Sequence, residues 1–321
     1  MYSNSVFDRE LYNNCMETLK TITKEYNSKN YIAEFKLRHP RMRLISFLLR
    51  ILSRNCSLRE NILRTVLDIR HFIVSKKNSY IVQKRDISFL KSSNYYSDDR
   101  IAVYTCIFGD YDNISTPMIF PDNIDYYIIT DKDITNVVGW KIINLKDYEN
   151  KISGMSNVEK NRWFKMHPHI VFDQYKYSVY IDGNVIPVTD FTEYINRIGN
   201  SGIAMYVHSF NDCVYHEAFL IKYLKPQINY RDIEKHVKHL REDGMPERFG
   251  MYSCNVIARD HSNKLCIKIM NTWWDEFKHY SKRDQMSFTY SVWKNGLNID
   301  DVGVLGSDAW NTGEIIIVEH T

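Results

Sequence analysis

No stretch of this 321-residue chain approaches the ~20 consecutive apolar residues that a membrane span needs. Its start, Met1-Tyr2-Ser3-Asn4-Ser5 followed by charged residues, lacks the apolar core of a secretory leader. The six cysteines form no Cys-x-x-Cys pair and no Cys/His metal spacing, so neither a zinc site nor a disulfide framework is indicated and a reducing, cytoplasmic setting is expected. Repeats and low-complexity tracts are absent. So are G-x-S-x-G, H-E-x-x-H and clustered histidine ligands, which argues against the common hydrolase classes. What remains is an ordinary packed composition, 44% hydrophobic, long enough for one large domain or a domain plus an appendage.

Charge is unevenly spread. Residues 1–100 hold 19 Lys+Arg against 10 Asp+Glu, a net +9, and the remainder is net −6. Residues 1–98 are therefore read as a basic helical region, with apolar positions at helical spacing in Leu11, Cys15, Leu19 and Ile22 and again in Leu44, Phe47, Leu48 and Ile51. Within 36–64, Arg41, Arg43, Arg50 and Arg54 surround an apolar side, the pattern of a membrane-surface helix and equally of a core-facing helix with a basic rim. Two roles stay open for this front end: peripheral attachment to the inner face of the cytoplasmic membrane, or a scaffold for homo-oligomers. No nucleic-acid partner is expected.

The turn-rich run Lys91–Arg100 separates that region from residues 99–321. Beyond it, apolar strands (Ile101–Phe108, Tyr126–Thr130, Tyr177–Ile181, Gly202–His208, Ser253–Ala258) alternate with helical stretches (about 157–173, 212–224, 261–278 and 283–294). Such alternation predicts an α/β fold, a mostly parallel sheet flanked by helices, with its ligand at the carboxyl ends of the strands.

Chemistry-bearing residues cluster at those predicted ends. The first strand runs into Gly109-Asp110-Tyr111-Asp112 and the second into Asp131, carboxylates and a ring suited to a nucleotide or to a turn. Tyr177–Ile181 delivers Asp182-Gly183-Asn184, two oxygen ligands at a strand terminus that suit Mg²⁺ or Mn²⁺ shared with phosphate, and equally a turn. Arg162 and Lys165 share a helix face from which cations reach a diphosphate or simply meet solvent. His167 and His169 are expected to pack or cap. Asp284-Gln285 either caps a helix or holds sugar hydroxyls, and Trp273 or Trp274 either offers a flat face to a sugar or packs in the core.

Six blocks in order, Tyr104–Asp112, Tyr127–Asp131, Arg162–His169, Tyr180–Asn184, Tyr215–Ala218 and Arg283–Phe288, resemble the glycosyltransferase-like domain of plant mucilage and turgor-regulation proteins and of bacterial polysaccharide clusters. That domain is in turn similar to the retaining glycogenin and lipooligosaccharide enzymes of GT-A type. The resemblance, over roughly 101–295, implies a UDP-sugar donor, Mn²⁺ or Mg²⁺, and a glycan or lipid-linked acceptor in capsule or lipopolysaccharide synthesis. It places Thr105, Phe108, Gly109, Asp110, Tyr111, Asp131, Arg162, Lys165, Asp182, Gly183 and Asn184 at the nucleotide and donor, and Asp182, Asn184 and His320 at the metal. Asp284 and Gln285 fall beside the donor sugar, and Glu217 or Asp284 would be the base of an inverting enzyme. Asn184 stands where the family has an anionic ligand, so weaker metal binding is expected. The rival readings are a metal-dependent hydrolase of lipids or nucleotides and a catalytically silent sugar-nucleotide-binding module.

Overall fold

The computed structural model describes residues 9–38, 99–135, 137–208, 211–224, 229–318 and 320. Helix α1 is Arg9–Arg38. The basic helix expected around Arg41–Arg54, and with it most of segment 36–64, lies outside the described residues.

The strands are β1 Ile101–Ile107, β2 Ile124–Thr130, β3 Lys141–Ile142, β4 Tyr177–Ile181, β5 Val185–Pro187, β6 Ile203–Val207, β7 Tyr252–Asp260, β8 Gly303–Gly306 and β9 Ile315–Ile317. Seven of them form one sheet in the order β3-β2-β1-β4-β7-β6-β8, parallel except that β7 runs antiparallel to both β4 and β6. The expected α/β architecture is thus present. β5 and β9 pair as a separate antiparallel ribbon. Because β1, β2, β4 and β6 point the same way, their carboxyl ends share one edge, and β7 begins there.

β1 is buried along its whole length, as a strand covered on both faces must be. Its alternation sends Ala102, Tyr104, Cys106 and Phe108 into one core with Phe164, Trp273, Phe277 and Phe288, and Ile101, Val103 and Ile107 into the other with Phe191, Tyr194 and Ile315. The helices that matter for the site are α2 Asn157–Met166, α3 Pro168–Val171, α4 Val214–Leu224, α5 Tyr230–Glu242, α6 Lys264–His279 and α7 Asp284–Lys294. α2 opens on a capping box between Ser156 and Glu159.

One local expectation is corrected. The continuous helix expected over 157–173 is broken at His167, because Pro168 has no N–H with which to continue the ladder. The carbonyls left over at the end of α2 are met from the sheet: Tyr104 Oη donates to Phe164 O and Lys165 O at 3.2 Å each, and Arg259 Nη1 donates to Lys165 O at 2.6 Å. A helix is present where the spacing of Leu11, Cys15, Leu19 and Ile22 predicted one. Cys15 is exposed and Ile22 is 58% exposed, whereas Thr23 and Asn27 are buried.

Candidate active site

Three separated parts of the chain converge on Lys165 at the carboxyl edge of the sheet. α2 supplies the lysine, fully buried at 0% exposure. Its Nζ lies 3.2 Å from Asp182 Oδ1, at the end of β4, and 3.0 Å from Asp284 Oδ2, the first residue of α7. It also sits over the Tyr180 ring, 4.7 Å from the centroid. Arg162, one helical turn earlier, pairs with the same Asp284 oxygen at 3.1 Å. Burial alone would push the Asp284 carboxyl up, but Arg162, Lys165 and Arg283 together hold it well below the usual carboxylate range. Trp273 Nε1 donates to Asp284 O at 2.9 Å, which fixes the start of α7. Trp273 and Trp274 are both buried in the core rather than open to a sugar.

A second group lies across the Asp182-Gly183-Asn184 turn. Among the described residues the hydrogen bonds to the Asp182 carboxylate, from Lys165 and from Tyr180 Oη at 2.8 Å, fall on Oδ1 and leave Oδ2 for a ligand. Gly183 is pressed against Asp112: a Cβ there would meet Asp112 Oδ2 at 2.8 Å. Asn184 donates through Nδ2 to Val318 O at 2.9 Å and keeps its Oδ1. An aspartate at 184 could not make that bond, which gives a structural reason for asparagine here. His320 Nδ1 donates to Asp112 Oδ1 at 2.8 Å, and its ring packs on Tyr111, centroids 4.7 Å apart. Burial, with the Asp182 charge across the turn, raises the Asp112 carboxyl despite the His320 hydrogen bond.

The other expected residues divide between exposed and buried positions. Gly109 N donates to Asp131 Oδ1 at 2.8 Å, so Asp131 pins the turn after β1. Asp110 is fully exposed, 4.0 Å from Lys132. Thr105 is buried within β1, and Phe108 is buried and stacked on Phe164. Glu217, on α4, is buried and accepts from Asn211 Nδ2 at 2.6 Å and Arg283 Nη2 at 3.3 Å. Arg283 Nη2 also donates to Gln285 Oε1 at 3.3 Å, which leaves the Gln285 amino group free to donate elsewhere. His167 and His169 pack as expected: the His167 ring stacks on Trp163 and lies 5.8 Å from that of His169.

Among the described residues no group of three or more His, Cys, Asp or Glu side chains is disposed to enclose a metal ion. The donors beside the 182–184 turn, one carboxylate oxygen, one amide oxygen and one imidazole nitrogen, suit a divalent cation that takes its other ligands from phosphate. The Asp112–His320 pair is the arrangement that orients a metal-binding imidazole, with Nδ1 on a carboxylate and Nε2 left over.

The family profile of the TOD1/MUCI70 glycosyltransferase-like domain matches residues 74–300, more than two thirds of the chain. The chain belongs to that family. The TOD1/MUCI70 match begins ahead of the boundary expected at residues 98–99 and ends before β8 and β9. No curated protein sequence matches the chain. Solved structures that resemble this TOD1/MUCI70 protein include the apo WbbM bifunctional glycosyltransferase, with 11% identity and a TM-score of 0.41 over 67% of this chain and 40% of that one. The galactosyltransferase LgtC, in complex with donor and acceptor sugar analogues, has 9% identity and a TM-score of 0.36 over 65% of this chain and 73% of its own. Apo mouse xyloside xylosyltransferase 1 has 9% identity and a TM-score of 0.32 over 60% and 80%. The chain thus spans less than half of WbbM.

Tyr104, Arg259 and Val318 were not legible as contributors, because they act through backbone carbonyls, which spacing does not reveal. Asp112 was legible as the second carboxylate of the Gly109–Asp112 turn, but its pairing with His320 was not.

Proposed function

We propose that the domain transfers a sugar from a UDP-sugar to a glycan or lipid-linked acceptor in surface-polysaccharide synthesis, with retention at the anomeric carbon. The observation that carries this reading is the meeting of Lys165, Asp182 and Asp284 at one strand edge. In such a transfer the anomeric carbon–oxygen bond to the diphosphate breaks with its electron pair staying on phosphate. The acceptor oxygen bonds to the same carbon, and its proton passes to the departing phosphate oxygen.

In this reading Lys165 and Arg162 would stabilise the negative charge that grows on the diphosphate; their pairing with Asp284 and Asp182 supports this, since cations already held in position need little reorganisation. Asp284, stabilised as an anion, is a poor proton acceptor, and Glu217 is already engaged by Asn211 and Arg283. Neither suits the general base of an inverting mechanism, which supports retention. Gln285, its carbonyl held by Arg283, would donate to an oxygen of the donor sugar. A divalent cation held by Asp182, Asn184 and His320 would neutralise diphosphate charge.

The test is UDP release from a panel of nucleotide sugars with Mn²⁺, alongside calorimetric titration of UDP with and without the metal. Metal-dependent UDP binding that Asp182→Ala abolishes, together with acceptor-dependent release, is the expected result. Water-dependent release alone would favour a hydrolase. Binding without turnover of any donor would favour a silent binding module.

A further inference from the structure

Helix α1 lies far ahead of the 182–184 turn in sequence, yet it reaches it through residues 312–318. Among its described side chains the buried ones are polar, Thr23 and Asn27, and Asn27 Nδ2 donates to Thr312 O at 2.6 Å and to Ile315 O at 2.8 Å. The backbones also meet. A Cβ on Gly313 would lie 2.4 Å from Lys20 O, so only glycine lets the segment pass this close to the helix. From Ile315 the chain forms β9 against β5, Val185 opposite Ile317. Immediately beyond, Val318 N donates to Asn184 O and Asn184 Nδ2 donates to Val318 O, at 2.9 Å each. Two residues later His320 meets Asp112. On its other side the segment is held by Glu314, paired with Arg197 at 2.9 Å and accepting from Tyr206 Oη at 3.1 Å.

We propose that α1 is a positioning element for the donor site, with Asn27 as the coupling residue that sets segment 312–320 and, through it, the orientation of Asn184 and His320. This rests on reading the 182–184 turn as the metal and diphosphate site. Two carbonyls that share one amide donor are registered by it, and a buried carbonyl without a donor is costly, so loss of Asn27 frees the segment where it enters β9. Lys165, Arg162 and Asp284 are paired within the α/β body, and among the described residues no hydrogen bond or ion pair joins them to residues 312–318 or to His320, so their part in UDP binding is expected to be independent of α1.

The experiment uses the full chain with Asn27→Ala, Asn27→Asp (same shape, no amide donor) and Gly313→Ala, which forces the two backbones apart from the other side. UDP affinity is titrated with and without Mn²⁺, and hydrogen exchange is followed at the Ile316–Val318 amides. All three variants are expected to lower the Mn²⁺-dependent affinity about fivefold, the size of one lost hydrogen bond, to leave metal-free UDP affinity unchanged, and to speed exchange at Ile316–Val318. Folded variants with lowered Tm but wild-type metal dependence and exchange would overturn the proposal, since a merely structural helix does only that. Asp182→Ala is the reference. If it too retains metal-dependent binding, the donor-site reading fails, and the exchange rates alone then decide whether α1 sets the segment.

Discussion

The two walls of the site are built by different physics. On one, Lys165, Arg162, Asp182 and Asp284 come from α2, β4 and α7, elements of the buried α/β body, and opposite charges at 3.0–3.2 Å hold each other in place. On the other, Asn184 exchanges hydrogen bonds with the Val318 backbone and Asp112 meets the side chain of half-exposed His320. The first wall is preorganised without any ligand. The second depends on how the last residues of the chain are laid across the 182–184 turn, and so is open to influence from α1.

That contrast is broken most severely at Lys165. Lys165→Met removes the fully buried cation shared by two carboxylates, Asp284 nearly buried and Asp182 30% exposed, and is expected to destabilise the fold by about 3–5 kcal/mol, measured by urea denaturation. A loss of under about 1 kcal/mol would mean that water already reaches the pair and the first wall is no more rigid than the second. Gln285→Ala sharpens the comparison at smaller cost. It stands beside the first wall but contributes nothing to its charge balance, so kcat should fall about 10²-fold with UDP affinity nearly unchanged. Wild-type turnover would reduce Asp284-Gln285 to a helix start.

The mildest probe is pH. His167 and His169, just past α2, are pushed down to about 4 and His261 to about 3, in each case chiefly by burial and further by the neighbouring Arg259. Their folded values lie below the unfolded value near 6.5, so the unfolded chain takes up protons first as pH falls. The stability they contribute is complete above about pH 6.5 and is lost progressively as pH falls toward 4. The Tm should drop accordingly between pH 7 and pH 5, and a His167→Gln, His169→Gln, His261→Gln triple variant should flatten that dependence. An unflattened profile would assign the acid sensitivity to other groups.

Much of the body was legible because its signals are local. The apolar runs of β1, β2 and β4 are continuous where a doubly covered strand must be, and each hands over to a polar turn, so Asp131 and Asp182 declared themselves as strand-end carboxylates. Short or highly charged elements did not declare themselves. β3 has two residues and β8 four, and α5 buries Ile233, His236 and Leu240 on a helix otherwise rich in charge. The spacing in α1 located the helix but not its contacts, because Asn27 docks by hydrogen bonding while Ile22 stays in solvent.

The sequence by itself determined the α/β class, the strand-end carboxylates and the shared face of Arg162 and Lys165, since each follows from periodicity or spacing over fewer than about ten residues. Only the tertiary structure decided which of those groups meet. Lys165 reaches Asp284 across 119 positions, and Asp112 reaches His320 across 208. Parallel strands joined by crossovers bring their carboxyl ends to one edge whatever the length between them, and it is at that edge that the distant charges find their partners.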